Sequence, residues 1–344
     1  MNSAVKSFKG KRVWVGLSGG VDSAVSAALL KQAGAHVTGV FIKGWYPPGM
    51  PCTWREDRRD AMRVAAHLHI PFLTLDATDA YKQGVIDYLL TEYRAGRTPN
   101  PDIMCNREVK FGAFFRAAKE HGVDAIATGH YVRKSPTGNL MRAVDEEKDQ
   151  SYFLWAIPRE ALALSIFPVG EMEKKKVRSL ARRFSLPVAR KKDSQGICFL
   201  GSISVEEFLR SEFGEHPGDI LDTNGKKIGT HDGVLLHTIG ARLPLAGGPW
   251  YVLSKDISAN TLTAGTRKEK ELGLRTVHFS HAHWFGESST VQTAQYRYHG
   301  PVISGKIDSG TFIADEPLPE ILAAGQSLVF YAGDELLGGG IIET

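Results

Sequence analysis

Residues that could do chemistry occur first in a short glycine-containing loop. Ser18 to Ser23 read Ser-Gly-Gly-Val-Asp-Ser and lie between an apolar run that ends at Leu17 and a helix-forming run. Glycines at such a junction let the backbone turn sharply and approach a phosphate, and the following helix start offers N–H groups and a positive dipole end. Asp22 would repel a phosphate, so we expect it to engage Mg²⁺ or to orient the loop. The pattern predicts a phosphate-binding loop.

The type of loop narrows the reaction. No Gly-Lys-Ser/Thr follows it, so it is not the Walker A loop, in which a lysine holds the β- and γ-phosphates. A loop without that lysine suits chemistry in which pyrophosphate leaves and AMP is transferred. Later strand ends supply further candidates, because ligands of open α/β sheets lie at the carboxyl ends of strands. Ile42 could support an adenine, and Gly129 ends another predicted strand.

A second group of reactive residues surrounds Cys105. Residues 98–106 read Thr-Pro-Asn-Pro-Asp-Ile-Met-Cys-Asn, which we interpret as a rigid polar loop that opens into a helix from Glu108. A cysteine near a helix N-terminus has its thiolate stabilised. Asp102 could accept or donate a proton beside it. A buried packing role for Cys105 is the alternative.

Cys198 lies in a comparable segment, and Cys52 does not. Two lysines and a glycine precede Cys198, although its apolar neighbours also allow a core position. We interpret Cys52, in a proline-rich loop, as incidental. Two reactive cysteines suggest sulfur handling, in which one thiolate carries a persulfide and the other resolves it through a transient disulfide. A competing hypothesis is that Asp102, Cys105 and Cys198 ligate a metal or an iron–sulfur cluster.

Composition limits the class of protein. The chain has 344 residues, a formal net charge of +4 and three cysteines without a Cys-x-x-Cys pair. These values exclude a disulfide scaffold and a four-cysteine zinc site, and they predict a reducing, cytoplasmic compartment. No apolar run is long enough for a membrane span, and Met1 to Gly10 lack an apolar signal region. We therefore expect no membrane association.

One stretch concentrates positive charge. Residues 174–192 contain nine basic side chains: Lys174, Lys175, Lys176, Arg178, Arg182, Arg183, Arg190, Lys191 and Lys192. A solvated helix face and a patch that follows nucleic-acid phosphates are both consistent with this run.

The elements that must position these residues alternate over the first half of the chain. Strand-like runs are predicted at 12–17, 36–42, 71–75 and 124–129, and helices at 23–33, 55–69, 79–93 and 108–121. Gly34 is expected to cap the first helix. This alternation predicts an α/β fold with a doubly wound parallel sheet.

After about Gly201 the segments become short and β-branched. Asn224-Gly225 is a hairpin signal, and glycine breaks recur between Val291 and Ile342. We predict a catalytic domain over 1–203, a small mixed α/β domain over 204–268 and a C-terminal β-barrel-like domain over 272–344.

Longer motifs carry a family resemblance. They are Gly-Leu-Ser-Gly-Gly-Val-Asp-Ser (16–23), Gly-Arg-Thr-Pro-Asn-Pro-Asp-Ile-Met-Cys-Asn (96–106), Ala-Thr-Gly-His-Tyr (127–131), Lys-Asp-Gln-Ser-Tyr-Phe-Leu (148–154), Lys-Lys-Asp-Ser-Gln-Gly-Ile-Cys-Phe (191–199) and Gly-Gln-Ser-Leu-Val-Phe-Tyr (325–331). With these motifs the chain resembles the bacterial tRNA-uridine 2-sulfurtransferases of the PP-loop ATP pyrophosphatase superfamily, almost end to end.

The resemblance implies roles for particular residues. ATP would lie on Gly16, Leu17, Ser18, Gly19, Gly20, Val21, Asp22, Ser23, Ile42 and Gly129. The target base would meet Asn100, Pro101 and Asp102, Cys105 would be the nucleophile or resolving thiol, and Cys198 would carry the persulfide. Contacts with tRNA would come from His130, Lys148, Asp149, Gln150, Tyr296, Arg297 and Gln326.

The implied reaction is thiolation of the wobble uridine of tRNA. Adenylation of the C2 oxygen makes AMP the leaving group, after which persulfide sulfur attacks C2 and Cys105 closes a disulfide. The base must leave its stack to reach a buried site. The resemblance implies tRNAs for Lys, Glu and Gln as substrates and a persulfide relay protein as the sulfur source.

Two rival functions remain open at this point. One is a PP-loop enzyme that adenylates another acceptor, such as an amide-forming ligase, which needs no cysteine pair. The other is a non-enzymatic RNA-binding protein that has retained a nucleotide fold, against which the intact loop at 18–23 argues.

Overall fold

The computed structural model describes residue 5 and residues 7–47, 54–193, 203–266 and 273–343. The chain divides into two compact units. The first unit comprises Met1–Ile86, Asp102–Ser202 and Asp334–Leu336, and the second comprises Asp87–Pro101, Ile203–Gly333 and Leu337–Thr344.

A parallel sheet is the centre of the first unit. The strands up to residue 166 are Arg12–Gly16 (β1), His36–Lys43 (β2), Phe72–Asp76 (β3), Ala125–Ala127 (β4), Arg133–Lys134 (β5), Leu140–Met141 (β6) and Ser165–Ile166 (β7). The sheet order is β3-β2-β1-β4-β7, with every neighbouring pair parallel. The order reverses at β1, so the carboxyl ends of β1 and β4 border the crevice where ligands of such sheets bind.

Nine α-helical segments occur among the described residues. They are Val21–Gln32 (α1), Trp54–His67 (α2), Thr78–Tyr81 (α3), Tyr88–Arg94 (α4), Pro101–Met104 (α5), Phe114–Glu120 (α6), Arg159–Ala163 (α7), Lys174–Arg183 (α8) and Val205–Phe213 (α9). Two π-helical stretches, Lys82–Asp87 and Cys105–Ala113, continue α3 and α5. Short 3₁₀ turns span Ser151–Leu154, Val234–Leu236 and Ser288–Thr290.

Buried apolar side chains pack β1 and α1 into the core of the first unit. Val13 and Val15 of β1 are fully buried, and so are Val25 and Leu30 of α1. Strands covered on both faces read as continuous apolar runs, which is the pattern from which β1 was predicted. Gly34 has a φ of +86° just beyond α1, so it ends that helix as expected.

The central part of the second unit is a five-stranded sheet. Its strands are Gly218–Leu221 (β8), Lys227–His231 (β9), Arg242–Leu243 (β10), Trp250–Asp256 (β11) and Thr261–Gly265 (β12), in the order β10-β11-β12-β8-β9. Gly225, at φ +79°, turns β8 into the antiparallel β9. The hairpin predicted from Asn224-Gly225 is therefore confirmed.

Six strands then close into a barrel. They are Thr276–Trp284 (β13), Thr293–Gln295 (β14), Val302–Asp308 (β15), Thr311–Ala314 (β16), Ser327–Ala332 (β17) and Glu335–Ile342 (β18). The order is β13-β16-β15-β14-β17-β18, and β18 pairs back onto β13. Phe312, Leu328 and Phe330 are fully buried in its core.

These elements confirm the predicted fold class: a parallel α/β sheet, a small mixed domain and a β-barrel. One local prediction is wrong. The segment interpreted as a loop up to Asn106 is helical from Pro101, because proline fixes a helical φ and its missing N–H is not needed at the first helical position. In the part of the chain that the structure describes, no helix is both long enough and apolar enough to cross a membrane.

Candidate active site

The loop between β1 and α1 holds its shape through its own hydroxyls. Ser18 N–H donates to Ser23 Oγ at 3.2 Å, and the two serine Oγ atoms are 3.2 Å apart. Ser23 Oγ in turn donates to the Gly20 carbonyl at 3.3 Å. The loop is thus folded back over the first turn of α1, with its backbone close to the helix N-terminus. A helix N-terminus of this kind is a favourable place for phosphate.

Two glycines are required by close backbone approach. Gly19 has a φ of +78°, and a Cβ atom there would lie 2.4 Å from the Asp57 carbonyl oxygen. A Cβ at Gly129, just beyond β4, would lie 2.6 Å from the Ser23 backbone nitrogen. Ser26 Oγ also donates to the Thr128 carbonyl at 3.3 Å, which ties α1 to the end of β4. The predicted nucleotide residues at 18–23 and at 129 therefore meet at one place.

Ile42 belongs to the same neighbourhood. Its Cδ1 atom lies 4.0 Å from the position that a Cβ at Gly16 would take, and its side chain is half-buried. Leu17 follows β1 and is buried. The residues predicted to hold a nucleotide thus form one group at the carboxyl ends of β1, β2 and β4.

The carboxylate of Asp22 is held by a lysine from a distant part of the chain. Lys174 Nζ lies 2.8 Å from both Asp22 oxygens, and Tyr131 Oη donates to Oδ1 at 2.8 Å. Burial, together with the charge of Asp22, raises the pKa of Tyr131 and keeps that hydroxyl protonated as a donor. Carboxylate oxygens are the ligands that Mg²⁺ prefers, so the donor set of Asp22 fits Mg²⁺ provided that the cation displaces Lys174.

Lys174 also joins Asp22 to a second acid. Its Nζ lies 2.9 Å from Asp193 Oδ1, and Asp193 further accepts from Lys148 at 3.2 Å and from Arg178. Burial alone would raise the pKa of Asp193, but the hydrogen bond and charge of Lys174, with Lys148 and Arg178, outweigh it and lower the pKa. The predicted residue Lys148 is thereby placed in this ion-pair cluster.

Sequence reasoning missed Tyr131, Lys174 and Asp193 as site residues. Each belongs to a stretch already described: Tyr131 ends the motif 127–131, Lys174 begins the basic run, and Asp193 lies in the motif 191–199. The signal that could have found Lys174 is its position at the start of a helix that carries an apolar stripe. A cation in the first turn of a helix is electrostatically unfavourable and calls for an acidic partner.

Cys105 is buried rather than presented in a loop. It is 2% exposed and is the first residue of the π-helical stretch Cys105–Ala113. The neighbouring Asn106 donates from Nδ2 to the Phe153 carbonyl at 3.1 Å, which fixes this turn. Asp102 lies in the first turn of α5, half-buried. Cys105 therefore follows a helix start instead of preceding one, and π-helical turns within helices are frequent at functional sites.

The other two cysteines, Cys52 and the predicted persulfide carrier Cys198, lie outside the described residues. Among the residues that the structure does describe, no three His, Cys, Asp or Glu side chains are grouped as metal ligands. The set Asp102, Cys105 and Cys198 thus stays a prediction.

The predicted tRNA contacts in the first unit make internal hydrogen bonds. His130 is buried, its Nδ1 is 2.8 Å from Thr128 Oγ1, and burial with the charge of Lys110 lowers its pKa, so the ring is neutral. Asp149 Oδ2 accepts from Ser151 Oγ at 2.7 Å. Gln150 Oε1 accepts from Tyr131 N–H at 3.0 Å, which positions the residue that holds Asp22.

The predicted contacts in the second unit differ in exposure. Tyr296 is buried and donates to Glu320 Oε1 at 2.7 Å, whereas the Arg297 side chain is 55% exposed and lies 3.0 Å from the same oxygen. Gln326 donates from Nε2 to the Thr98 carbonyl at 2.6 Å. Asn100 and Pro101 also belong to this unit.

Part of the basic run is committed to internal ion pairs. Lys174 and Arg178 bind Asp193, and Lys191 Nζ lies 2.8 Å from both Asp57 and Asp60. Six members are exposed: Lys175, Lys176, Arg182, Arg183, Arg190 and Lys192. Lys174, Arg178 and Lys191 therefore fit neither interpretation of the run, and the choice between a solvated face and a phosphate-binding patch concerns only the six exposed members.

Family models cover nearly the whole chain. They are described as the tRNA methyl transferase HUP domain, matched at 11–202, the tRNA methyl transferase PRC-barrel domain, matched at 206–266, and the Aminomethyltransferase beta-barrel domain, matched at 274–342.

Solved structures resemble the chain only distantly. NMN synthetase from Francisella tularensis has a TM-score of 0.38 at 16% identity, covering 59% of this chain and 74% of that one. The U34-tRNA thiolase NcsA from Methanococcus maripaludis has a TM-score of 0.37 at 16% identity, covering 61% and 72%. Likenesses at this level carry no argument about the site.

Curated relatives are much closer. The tRNA-specific 2-thiouridylase MnmA of Pseudomonas paraeruginosa is 43% identical over 366 aligned positions, which cover 100% of this chain and 97% of the relative. The protein of the same name from Akkermansia muciniphila is 42% identical, covering 97% of this chain and 99% of the relative. The chain belongs to the family of tRNA-specific 2-thiouridylases, within the PP-loop superfamily.

Proposed function

We propose that this chain is an ATP-dependent sulfurtransferase that converts the wobble uridine (U34) of tRNA to 2-thiouridine. The observation that carries the proposal is that the glycine-locked loop after β1 and the buried Cys105 belong to one compact unit. The relatives named as tRNA-specific 2-thiouridylases support the choice of thiolation and of tRNA.

ATP is the proposed nucleotide. Its phosphates would meet the N–H groups at 18–23, with Gly19 and Gly129 keeping the approach open, and its adenine would rest beside Ile42. Mg²⁺ would supply positive charge to the phosphates, held by the Asp22 carboxylate. Lys174, which binds Asp22 in this structure, would then be able to contact a phosphate oxygen instead.

The proposed reaction has two bond exchanges at uridine. The C2 oxygen attacks the α-phosphate, the bond between the α- and β-phosphates breaks, and pyrophosphate leaves. The terminal sulfur of a Cys198 persulfide then attacks C2, and the C–O bond breaks to release AMP. The Cys105 thiolate attacks Cys198 Sγ and forms a disulfide, which leaves sulfur on C2; a thiol reductant restores both cysteines. Release of sulfide from the persulfide before attack on C2 is a variant of the same scheme.

The proposed base-binding residues are those that the family motif at 96–106 implies. Asn100 and Pro101 would meet the flipped base, and Asp102 would accept or donate a proton next to Cys105. The alternative of an iron–sulfur cluster on Asp102, Cys105 and Cys198 is kept as a second candidate, and iron and sulfide assays on anaerobically purified protein decide it.

The proposed partners are tRNA and a persulfide relay protein. Lys148, Asp149, Gln150, His130, Tyr296, Arg297 and Gln326 are proposed to contact tRNA or to support the residues that do. The tRNAs for Lys, Glu and Gln are the proposed substrates. Domains over 1–203, 204–268 and 272–344 and a cytoplasmic location complete the proposal.

Mass analysis of tRNA after reaction with ATP and a persulfide donor tests the function. We expect one uridine to exchange oxygen for sulfur, with AMP and pyrophosphate formed only when tRNA is present. Cys105→Ser and Cys198→Ser should abolish the mass change. An amide-forming ligase would retain its activity in Cys198→Ser, and a non-enzymatic RNA-binding protein would release no pyrophosphate when tRNA is added.

A further inference from the structure

The segment that leads into the proposed base-binding residues is held by the barrel. Thr98 N–H donates to the Ala324 carbonyl at 2.8 Å, and Gln326 Nε2 donates to the Thr98 carbonyl at 2.6 Å. Both backbone groups of one buried residue are thus satisfied by the turn 324–326, which precedes β17. Buried backbone groups that lose such partners carry the full penalty of desolvation.

The turn itself is shaped for this contact. Gly325 has a φ of +90°, and a Cβ atom there would lie 2.9 Å from the Thr98 nitrogen and 3.0 Å from Arg97 Cβ. Gln326 is fixed from its own side, since Ile342 N–H donates to its carbonyl at 2.8 Å. The side-chain amide is therefore presented by a backbone that β18 holds in place.

Residues outside the strands of the central sheet contact the same segment from other directions. Gly96, at φ +78°, lies against Ile257, whose Cδ1 would be 3.2 Å from a Cβ at that position. The Arg94 guanidinium lies 5.5 Å from the centre of the Phe213 ring. Thr98 Oγ1 and Thr238 Oγ1 are 3.5 Å apart. The chain then runs from Thr98 through Asn100 and Asp102 to Cys105.

We propose that Gln326 and Gly325 are positioning residues: the barrel turn 324–326 fixes Thr98 and thereby sets the position of Asn100 and Pro101 for the target base. The expected effect on thiolation rests on the proposed function. The contacts of the turn 324–326 with Thr98, called the clamp below, do not depend on that function. In this role the Gln326 amide donates its hydrogen bond to the Thr98 carbonyl, so Gln326 supports the base-binding residues rather than contacting RNA itself.

A displaced loop slows chemistry more than it weakens binding, because most phosphate contacts of an RNA lie away from the reacting base. Misplacement of a reacting group by about 1 Å lowers rates on the order of 100-fold. A residue that touches RNA directly would instead weaken binding when it is changed. A positioning residue therefore affects mainly the thiolation rate, whereas an RNA-contacting residue affects mainly the affinity for tRNA.

The test uses Gly325→Ala with Gly310→Ala as its matched control. Both glycines have positive φ, +90° and +79°, but a Cβ at Gly310 meets nothing within 4 Å, and neither variant removes a polar side chain. Gln326→Leu is the second variant and removes the amide donor. Hydrogen exchange of peptides over 96–104, tRNA dissociation constants and single-turnover thiolation rates are measured on the full chain.

We expect Gly325→Ala and Gln326→Leu to accelerate exchange over 96–104 and to lower the thiolation rate by roughly 10- to 100-fold, with tRNA affinity changed less than about threefold. Gly310→Ala should behave like the wild type in all three measurements. Unchanged exchange in both test variants would overturn the clamp. Unchanged exchange with weaker tRNA binding in Gln326→Leu would assign the amide to RNA. If the wild type thiolates no tRNA, the proposed function fails, and the exchange measurement still decides the clamp.

Discussion

The phosphate loop and the barrel turn 324–326 each lie close against another stretch of backbone, but they use different chemical groups to do so. The loop is shaped by backbone contacts, with Gly19 against Asp57 and Gly129 against Ser23. The barrel turn adds a side-chain amide, that of Gln326, to a glycine contact. A site made by backbone approach leaves a glycine signature in the sequence. A contact made by a common side chain such as glutamine leaves no such signature in the sequence. Its role becomes visible only when the structure shows which group it binds.

The largest effect is expected where the backbone leaves no room. Gly19→Ala places a methyl group 2.4 Å from the Asp57 carbonyl oxygen at a φ of +78°, so the loop must move. We expect tRNA-dependent pyrophosphate release to fall by on the order of 100-fold or more. Gly10→Ala is the control, because Gly10 has a φ of +74° with nothing within 4 Å. Equal activity in the two variants would show that the loop does not depend on this approach.

The next effect is expected at the ion-pair cluster. Lys174→Met leaves Asp22 and Asp193 without their shared cation, and hydrogen bonds to charged groups contribute about 1.5–3 kcal/mol. Since the two acids are 30% and 33% exposed, we expect a loss of unfolding free energy near the lower end of that range. Denaturant titration measures the loss, with the exposed Lys175→Met as control. A loss equal to that of Lys175→Met would contradict a structural role for the bridge.

A smaller effect is expected at the barrel surface. Arg297 is exposed, unlike its neighbour Tyr296, so it is the member of the pair that can reach a phosphate. Arg297→Ala should lower the slope of log affinity for tRNA against log salt by about 1. Lys306→Ala removes an exposed charge from β15 of the same barrel and serves as control. If Arg297→Ala leaves the slope of log affinity against log salt unchanged, Arg297 does not contact RNA.

The smallest effect is expected at Lys255, and it concerns stability. Burial lowers the pKa of Lys255 to about 8 from an ordinary 10.5, and its Nζ donates to the His237 carbonyl at 3.0 Å. Between these two values the unfolded chain binds more protons, so this residue makes stability rise with pH across that window. Lys255→Met should remove the rise and stabilise the chain by about 1–2 kcal/mol at pH 7.

Thermal unfolding between pH 7 and 10 measures that difference, with exposed Lys226→Met as control. A pH dependence in Lys255→Met identical to that of the wild type would contradict the burial argument.

Local patterns allowed much of the fold to be predicted. Continuous apolar runs identified β1 and β2, and the special backbone needs of Gly34 and Gly225 marked a helix end and a hairpin. That residues 18–23, Ile42 and Gly129 lie together was also predictable, since strand ends of a parallel sheet meet at one edge. Their contact with a nucleotide stays a prediction.

The contacts that could not be predicted join residues that are far apart in the sequence. Lys174 binds Asp22 across 152 positions and Gln326 binds Thr98 across 228, and no local periodicity encodes either choice. The helix start at Pro101 was missed for another reason. Proline, asparagine and aspartate are all turn formers, and the same residues also begin helices, so local composition cannot separate the two.

The assignment of Asp334–Leu336 to the first unit has a consequence for biosynthesis. Glu335 pairs with Met141, and Asp334 binds Arg133, so the hairpin β5–β6 depends on residues that the ribosome adds much later. Domains that fold during synthesis normally bury each strand soon after it emerges. Met141 of β6 therefore gains its partner in β18 only once Glu335 has been translated, and until then one edge of the β5–β6 hairpin has no β18 to pair with.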